Sequence, residues 1–343
     1  MKIAQIAPLM ESVPPQLYGG TERVVSYLTE ELVRLGHQVT LFASGDSATT
    51  AELVSCVPGA LRLDANVRDV IPYYMLMLDQ ARRQADRFDV LHFHIDHLHF
   101  PVFHTVAEKT VTTLHGRQDL PDNNPLYGGF GDMPLISISD SQREPIRKAN
   151  FLATIHHGLP LDTLALARPH SVDYLAFLGR IAPEKGPDKA IAIARGLGIT
   201  LKIAAKVDKV DEAYFHSVVE PLLGTGIDFI GEIAEHEKSA FLGGASALLF
   251  PIDWPEPFGL VLIEAMACGT PVLAFRRGSV PEIVDDVTGV IVDSVEEAVG
   301  AMPALLKLDR SRVRKRFEER FSVSKMAMSH VHLYESLLRR QSE

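Results

Sequence analysis

Hydrophobic and polar positions follow two periods along the chain, and together they predict a repeating strand–helix order. Lys2–Pro8 is a short apolar run, which predicts a strand. A polar loop follows, and then a helix with apolar residues every three or four positions, capped by Thr21 and ended by Gly36. Gln38–Ala43 predicts the next strand. This β–α–β opening is typical of a parallel sheet with right-handed crossovers.

The same alternation continues to the middle of the chain and then starts again. Further strands are predicted at Val90–His94, Thr110–Leu114, Leu135–Ser139 and Ala153–His156, with helices at Tyr73–Phe88 and Gln142–Asn150. A polar, proline-containing stretch runs from Pro160 to Pro169, and a complete strand-first unit begins after it. This restart places a domain boundary near residues 160–172.

The second half repeats the strand–helix order and closes with one long helix. Its predicted strands are Tyr174–Leu178, Ile199–Ala205, Ile227–Ile230, Ala247–Pro251, Pro271–Phe275 and Gly289–Val292, with helices that include Asp188–Leu197 and Val323–Arg340. We therefore predict an α/β protein with Rossmann-like domains at residues 1–165 and 166–322 and a C-terminal helix at 323–343. Two such domains in series predict a cleft between them, where ligands bind at the carboxyl ends of the strands.

Composition narrows the class of protein. The length of 343 residues suits two domains, and the net charge of −10 argues against a nucleic-acid-binding protein. Cys56 and Cys268 lie too far apart in sequence to suggest a disulfide framework or a zinc site. No apolar run suits a signal peptide or a membrane span, so the cytoplasm is the expected compartment. Asp79 and Asp86 dilute the charge of the arginines in Ala81–Arg87, so there are only weak grounds to expect membrane association.

The segment that begins at Glu256 carries the strongest functional signal. A helix is predicted to start near Phe258, and Gly259 would let a ligand approach its free backbone N–H groups. Glu256 and Glu264 on either side of this helix start suit recognition of sugar and ribose hydroxyls. The alternative is a solvent-facing Glu256 and a Glu264 paired with an Arg or Lys. The apolar neighbours of Glu264 favour a specific partner for its carboxylate.

Two glycine-containing loops are candidate phosphate sites. Gly179–Gly186 follows a predicted strand, and Arg180 and Lys185 within it could hold a diphosphate in front of a helix N-terminus. By itself such a loop is usually solvated surface. Gly19 and Gly20 in Tyr18-Gly19-Gly20-Thr21-Glu22 could present backbone amides to a phosphate, but the motif lacks the G-x-G-x-x-G spacing. A plain tight turn is the better interpretation of that motif alone.

Histidines are concentrated within and just after the predicted strand Val90–His94. His92, His94, His97 and His99 could suggest a metal site, but they lack the spacing of the known zinc motifs. Packing or acceptor-side roles are therefore favoured, and no metal site is predicted. His115 ends another strand and is the histidine best placed to bind a substrate, with a structural role as its alternative.

Taken in order, these motifs resemble the retaining glycosyltransferases of family 4, which have the two-domain GT-B fold. The resemblance runs from the Gly19-Gly20 loop to the final helix, and so covers nearly the whole chain. It implies that the donor sugar, its diphosphate, its ribose and its base are bound by different groups. The sugar would be bound by Glu256, Phe258, Gly259, Leu260 and His115, and the phosphates by Arg180, Lys185 and Gly20. The ribose would be bound by Glu264, and the base would lie beside Glu232 and Ile233.

The resemblance also implies a mechanism. Members of the family use neither a catalytic metal nor a bound cofactor and retain the anomeric configuration. In the route usually proposed, the acceptor attacks from the face that the diphosphate leaves, and the diphosphate helps to remove its proton. Glu256 is then not a nucleophile, and stabilisation of the leaving group by Arg180 and Lys185 is the main catalytic effect. The last helix would cross back onto the N-terminal domain.

The resulting hypothesis is a metal-independent hexosyltransferase that uses a UDP- or GDP-sugar. Its hydroxyl acceptor is unidentified and could be a saccharide, a small molecule or a lipid-linked sugar. Two alternatives stay open: a nucleotide-sugar epimerase or phosphorylase of the same fold, and a non-catalytic nucleotide-sugar-binding protein. The sequence does not decide the base, the sugar, the acceptor or the oligomeric state.

Overall fold

The structure is a computed structural model that describes residues 1–16, 19–167 and 174–342. The chain divides into two compact units, one made of Met1–Gly158 and Val323–Glu343 and the other of Leu159–Ser322. The first segment therefore ends at Gly158, before the predicted boundary at residue 165. Tyr18, and residues 168–172 of the predicted boundary region, lie outside the described residues.

The first unit is built on a seven-stranded parallel sheet. Its strands are β1 (Lys2–Ile6), β2 (Gln38–Ser44), β3 (Glu52–Val57), β4 (Val90–Phe93), β5 (Thr110–Thr113), β6 (Leu135–Ser137) and β7 (Phe151–Thr154). They lie in the order β3-β2-β1-β4-β5-β6-β7, so the chain reverses direction across the sheet between β1 and β4. Loops at the carboxyl ends of these two strands flank the reversal point, where Rossmann-like sheets bind ligands.

Six α-helices in the described part of the chain belong to this first unit. They are α1 (Gly20–Arg34), α2 (Ile71–Arg83), α3 (Phe100–Phe103), α4 (Asn123–Gly129), α5 (Asp140–Arg143) and, at the end of the chain, α13 (Val323–Ser342). The predicted helix Gln142–Asn150 is wrong. After α5 only a 3₁₀ turn at Glu144–Ile146 follows, because Pro145 lacks the N–H that a longer helix needs there.

The second unit has a six-stranded parallel sheet in the order β10-β9-β8-β11-β12-β13. Its strands are β8 (Leu175–Ile181), β9 (Leu201–Val207), β10 (Ile227–Gly231), β11 (Ala247–Phe250), β12 (Val272–Phe275) and β13 (Gly289–Val292). Its helices are α6 (Pro187–Leu197), α7 (Glu212–Tyr214), α8 (Glu235–Gly244), α9 (Leu260–Ala267), α10 (Val280–Ile283), α11 (Val295–Leu305) and α12 (Arg310–Phe321). Apolar side chains of neighbouring strands and helices, such as Phe177, Ile203 and Leu249, form its buried core. This sheet reverses between β8 and β11.

Helix α13 packs within the first unit although it follows the second unit in sequence. Tyr334 is fully buried there, with its hydroxyl 2.7 Å from Nδ1 of His92 on β4. Ser324 near the start of the helix donates a hydrogen bond to Glu31 of α1. Among the described residues, the helices are too short or too polar to cross a membrane.

Candidate active site

The first pair of predicted phosphate ligands lies at the end of β8, with Arg180, and in the loop between β8 and α6, with Lys185. Strand β8 continues to Ile181, so Gly179 and Arg180 lie in the strand and not in the predicted loop. A 3₁₀ turn then brings the chain to Gly186, whose φ of +69° favours glycine. A Cβ atom at Gly186 would lie 2.3 Å from the carbonyl oxygen of Pro251. This loop is therefore held directly against the loop that follows β11.

The loop between β11 and α9 is fixed on both sides. On one side, the amide of Asp253 donates to the carbonyl oxygen of Glu184 at 2.8 Å. On the other, the amide of Ser279 donates to the carbonyl oxygen of Glu256 at 3.0 Å. Helix α9 begins at Leu260, two residues later than predicted, because Gly259 adopts a φ of +82° before it. These contacts leave little freedom in the position of Glu256.

An ion pair joins the two loops at the point where the sheet reverses. Nζ of Lys185 lies 2.6 Å from Oε2 of Glu256, and the two side chains are 18% and 12% exposed. The indole N–H of Trp254 donates to the same carboxylate oxygen at 2.9 Å. The lysine Nζ also lies 4.4 Å from the centre of the Trp254 ring, within the range of a cation–π interaction. Lys185 and Glu256 are among the predicted site residues, whereas Trp254 is not.

Arg180 has different partners from Lys185. Its guanidinium donates to Glu184 at 2.6 Å and to Asp211 at 2.9 Å, and it lies 3.9 Å from Asp208. The structure thus brings Lys185 to Glu256, and Arg180 to a group of acidic side chains. A guanidinium has five N–H donors, so these contacts leave donors for a further oxygen-rich ligand.

Glu264 forms a second ion pair, on the second turn of α9. Its Oε1 atom lies 3.1 Å from Nζ of Lys238 on α8, which also contacts Glu235 at 2.8 Å. Glu264 is only 4% exposed, so the lysine compensates the charge of a buried carboxylate. The alternative interpretation of Glu264, a pair with an Arg or Lys, is therefore present in the structure, and Lys238 is that partner. Glu232 and Ile233 precede α8, and Glu232 is exposed.

Gly278 supports the loop that carries Glu256. Its φ is +53°, and a Cβ atom there would lie 2.4 Å from both the amide nitrogen and the carbonyl oxygen of Glu256. We expect Gly278→Ala to lower the free energy of unfolding by about 1–3 kcal/mol and to displace Glu256. Urea unfolding followed by the fluorescence of Trp254, the single tryptophan, measures the change. Gly300→Ala on α11, where the added atom meets nothing within 4 Å, is the control. Equal stability of the two variants would contradict this role of Gly278.

The predicted residues of the first unit lie at the ends of β1, β4 and β5. Gly19 and Gly20 start α1, and Thr21 lies within that helix instead of capping it. His115 follows β5, with Nε2 2.9 Å from Nδ1 of His94. His92 and His94 are buried, and their imidazole nitrogens form hydrogen bonds with neighbouring side chains. In the part of the chain that the structure describes, no group of three or more His, Cys, Asp or Glu could hold a metal ion.

Comparison with known families identifies the family of the chain. The sequence model of the family described as "Glycosyl transferases group 1" matches residues 165–321, and that of "Glycosyltransferase Family 4" matches residues 18–151. The chain belongs to the group 1 glycosyltransferases of family 4. The prediction of a glycosyltransferase is thereby confirmed, and the protein is a transferase enzyme.

Relatives with known activities are distant but extend over most of the chain. The D-inositol 3-phosphate glycosyltransferase of Mycobacterium avium is 24% identical over 84% of this chain and 81% of its own. The N-acetyl-alpha-D-glucosaminyl L-malate synthase of Bacillus anthracis is 23% identical over 94% of this chain and 95% of its own.

Solved structures establish the fold. AviGT4, a glycosyltransferase involved in avilamycin A biosynthesis, superimposes with a TM-score of 0.74 at 23% identity and 98% coverage of both chains. Sucrose-phosphate synthase from Thermosynechococcus elongatus gives 0.80 at 18% identity, with 99% of both chains covered. The Anabaena protein Alr3699/HepE in complex with UDP and glucose gives 0.73 at 17%, covering 98% of this chain and all of the other. The predicted GT-B class of two Rossmann-like domains is confirmed.

Proposed function

We propose that this glycosyltransferase moves a hexose from a UDP- or GDP-sugar to a hydroxyl acceptor with retention of configuration. The observation that carries the proposal is the ion pair between Lys185 and Glu256 at the reversal point of the second sheet. A lysine suits phosphate oxygens, and a carboxylate suits sugar hydroxyls. In a nucleotide sugar the hexose is bonded directly to the second phosphate. Such a donor therefore requires a phosphate-binding residue and a hydroxyl-binding residue that lie next to each other.

The phosphate side of the proposal assigns the leaving group to two cations. Lys185 would bind the departing diphosphate and Arg180 would use its remaining N–H donors. Both would stabilise the negative charge that grows as the glycosidic bond breaks. The acceptor proton would pass to the diphosphate, so the route includes no covalent sugar–enzyme intermediate. We propose that the reaction needs no catalytic metal and no bound cofactor.

The sugar and nucleoside sides use the remaining residues. Glu256, with the backbone of Phe258, Gly259 and Leu260, would bind the hexose hydroxyls. Glu264 would accept hydrogen bonds from the ribose, and Glu232 and Ile233 would border the base. Within the first unit, the amide of Gly20 would contact phosphate and His115 the hexose. Residues 159–322 would thus form the donor-binding domain.

The role proposed for Glu264 predicts a loss of nucleotide affinity. Glu264→Ala removes an ionised acceptor for the ribose diol and is expected to raise the Kd for UDP or GDP roughly 10- to 100-fold. Titration followed by the fluorescence of Trp254 or by calorimetry measures the change. Glu235→Ala is the matched control because it removes the more exposed of the two carboxylates that contact Lys238. An unchanged Kd in the Glu264 variant would contradict the assignment.

Relatives supply the grounds for a hydroxyl acceptor. The names of the two curated relatives contain an inositol phosphate and malate, both of which carry hydroxyl groups. The Anabaena structures contain UDP, glucose and UDP-glucose. We accordingly propose a saccharide, a small hydroxylated molecule or a lipid-linked sugar as the acceptor class for this chain.

The direct test is a calorimetric screen of the protein against UDP-, GDP- and ADP-sugars. It is followed by detection of released nucleotide when saccharides, small hydroxylated molecules and lipid-linked sugars are added as acceptors in EDTA. We expect one donor class to bind, and nucleotide release to depend on the acceptor. Conversion of the donor without any acceptor would indicate an epimerase, and dependence on inorganic phosphate would indicate a phosphorylase. Binding without transfer to any acceptor would overturn the enzymatic proposal.

A further inference from the structure

A chain of buried side-chain hydrogen bonds connects α13 to His115 within the first unit. The hydroxyl of Tyr334 lies 2.7 Å from Nδ1 of His92 and 3.4 Å from Nε2 of Gln5. Oε1 of Gln5 lies 2.6 Å from Nε2 of His94, and Nδ1 of His94 lies 2.9 Å from Nε2 of His115. Gln5, His92 and Tyr334 are fully buried and His94 is 3% exposed. Gln5 and His92 face each other on the neighbouring strands β1 and β4.

Each link of this chain restricts the next, because a neutral imidazole has one N–H donor and one nitrogen acceptor. The amide oxygen of Gln5 can only accept, so Nε2 of His94 donates to it. Nδ1 of His94 must then accept the proton of His115 Nε2–H. In the other direction, the amide nitrogen of Gln5 donates to the hydroxyl of Tyr334, which also forms a hydrogen bond with Nδ1 of His92. The orientation of the Gln5 amide therefore sets the tautomers of His94 and His115.

Burial keeps these imidazoles neutral. It lowers the pKa of His115 to about 3, an effect to which the nearby His330 adds. Burial also places the pKa of His94 well below its usual range, and His92 and His115 lower it further. At neutral pH each of these imidazoles therefore carries one ring proton, and hydrogen bonds alone decide which nitrogen holds it.

Nδ1 of His115 is the atom at the end of the chain. It is buried and has no hydrogen-bond partner among the described residues. If Nε2 carries the ring proton, Nδ1 presents a lone pair and binds a donor such as a hydroxyl group. It would repel a carbonyl or phosphate oxygen in the same place. An unsatisfied buried nitrogen is costly, which favours a ligand that donates to it.

We propose that Gln5, His94 and Tyr334 are positioning residues that hold His115 as the Nε2–H tautomer, so that Nδ1 accepts a hydrogen bond from a hydroxyl of the transferred hexose. The identity of the ligand rests on the proposed function. The tautomer does not, because it follows from contacts within the first unit. Fixing it in advance removes the free energy otherwise needed to select this tautomer when the donor binds.

The test is to read the tautomer directly in the full-length protein. Long-range ¹H–¹⁵N spectra of protein labelled at histidine distinguish Nδ1–H from Nε2–H, and His115→Gln assigns the signal. We expect the Nε2–H form in the wild type and a mixture of tautomers in Gln5→Leu and in the near-isosteric Tyr334→Phe. An Nδ1–H form in the wild type, or an unchanged spectrum in both variants, would overturn the proposal.

Binding measurements connect the tautomer to the sugar. With UDP-glucose and GDP-mannose as probes, Gln5→Leu and Tyr334→Phe are expected to weaken binding about 3- to 10-fold, with UDP and GDP affinities unchanged. Thr112→Val is the matched control, since its buried hydroxyl lies 2.9 Å from Nε2 of His99, outside the chain. Equal losses for sugar-bearing and sugar-free nucleotides would overturn the link to the hexose. A wild type with the expected tautomer that binds no nucleotide sugar would overturn the proposed function instead.

Discussion

Lys185→Ala is expected to lower kcat roughly 10²- to 10³-fold, the effect of removing one preorganised group that stabilises charge in the transition state. The lysine Nζ, 2.6 Å from Glu256, is the cation nearest to the proposed sugar-binding carboxylate. Its loss would leave the departing diphosphate with fewer positive partners, and Glu256 without its ion pair. Steady-state kinetics with a donor and an acceptor identified by the screen measure the loss.

Two further variants separate charge stabilisation from structural damage. Lys189→Ala removes a lysine of the neighbouring helix that pairs with Asp253 at 2.8 Å, and it should change kcat by less than about threefold. Lys185→Arg keeps the charge and should recover part of the activity, because arginine also binds phosphate. Full activity of Lys185→Ala would refute its assignment to the diphosphate.

Glu256→Ala is expected to lower kcat/KM about 100-fold while the affinity for UDP or GDP changes by less than about threefold. A hydrogen bond to a charged group contributes about 1.5–3 kcal/mol, and Glu256 is assigned to hydroxyls of the hexose alone. The comparison of kinetics with nucleotide titration therefore locates its ligand. Glu256→Gln should lose less activity, because the amide oxygen can still accept from Trp254 and from a hydroxyl.

The size of the Glu256 effect also tests the chemistry. Removal of a covalent nucleophile can cost about 10⁶-fold in kcat, far more than the loss of a hydroxyl ligand. A loss of that size, with a glycosyl azide formed when azide is added, would show that Glu256 attacks the sugar. Asp253→Asn serves as the control in the same loop, since Asp253 is 51% exposed and pairs with Lys189 and Arg277. It should leave the kinetics nearly unchanged.

Most strands of the fold could be predicted because their apolar runs are buried on both faces. The exception is β3, Glu52–Val57, whose Ser55 and Cys56 interrupt its apolar pattern. It lies at the edge of the sheet, beside β2 only, so half of its surface needs no apolar cover. The prediction of helix Gln142–Asn150 was wrong for a different reason. Its sequence is compatible with a helix apart from Pro145, which has no N–H to donate the backbone hydrogen bond of a helix interior.

The sequence motifs proposed candidate site residues one by one but could not predict the contacts between them. Lys185 and Glu256 were identified from the loops they occupy, yet 71 positions separate them and only the adjacency of β8 and β11 brings them together. Arg180 was placed in the same loop as Lys185, whereas the longer β8 directs it to Glu184 and Asp211. Local patterns do not contain that information, because strand order is set by the packing of the whole unit.

Nothing in the spacing of the histidines indicated their connection to the last helix. His92 and His94 could be placed on one strand face, but Tyr334 is 242 positions away from His92. The apolar pattern of Val323–Arg340 predicted a packed helix without indicating that one of its polar side chains ends a buried hydrogen-bond chain. Long-range polar contacts of this kind depend on tertiary structure alone.

Helix α13 has a consequence for how the protein is made. Its residues belong to the first unit, whereas residues 159–322 form a separate unit inserted between the two parts of the first. During synthesis the ribosome completes the inserted unit before Tyr334 exists. The first unit therefore cannot finish folding until almost the whole chain has been translated. Until then, His92 and Gln5 lack the hydroxyl of Tyr334 as a hydrogen-bond partner. A released chain truncated after Ser322 should contain a finished second unit and an unfinished first one.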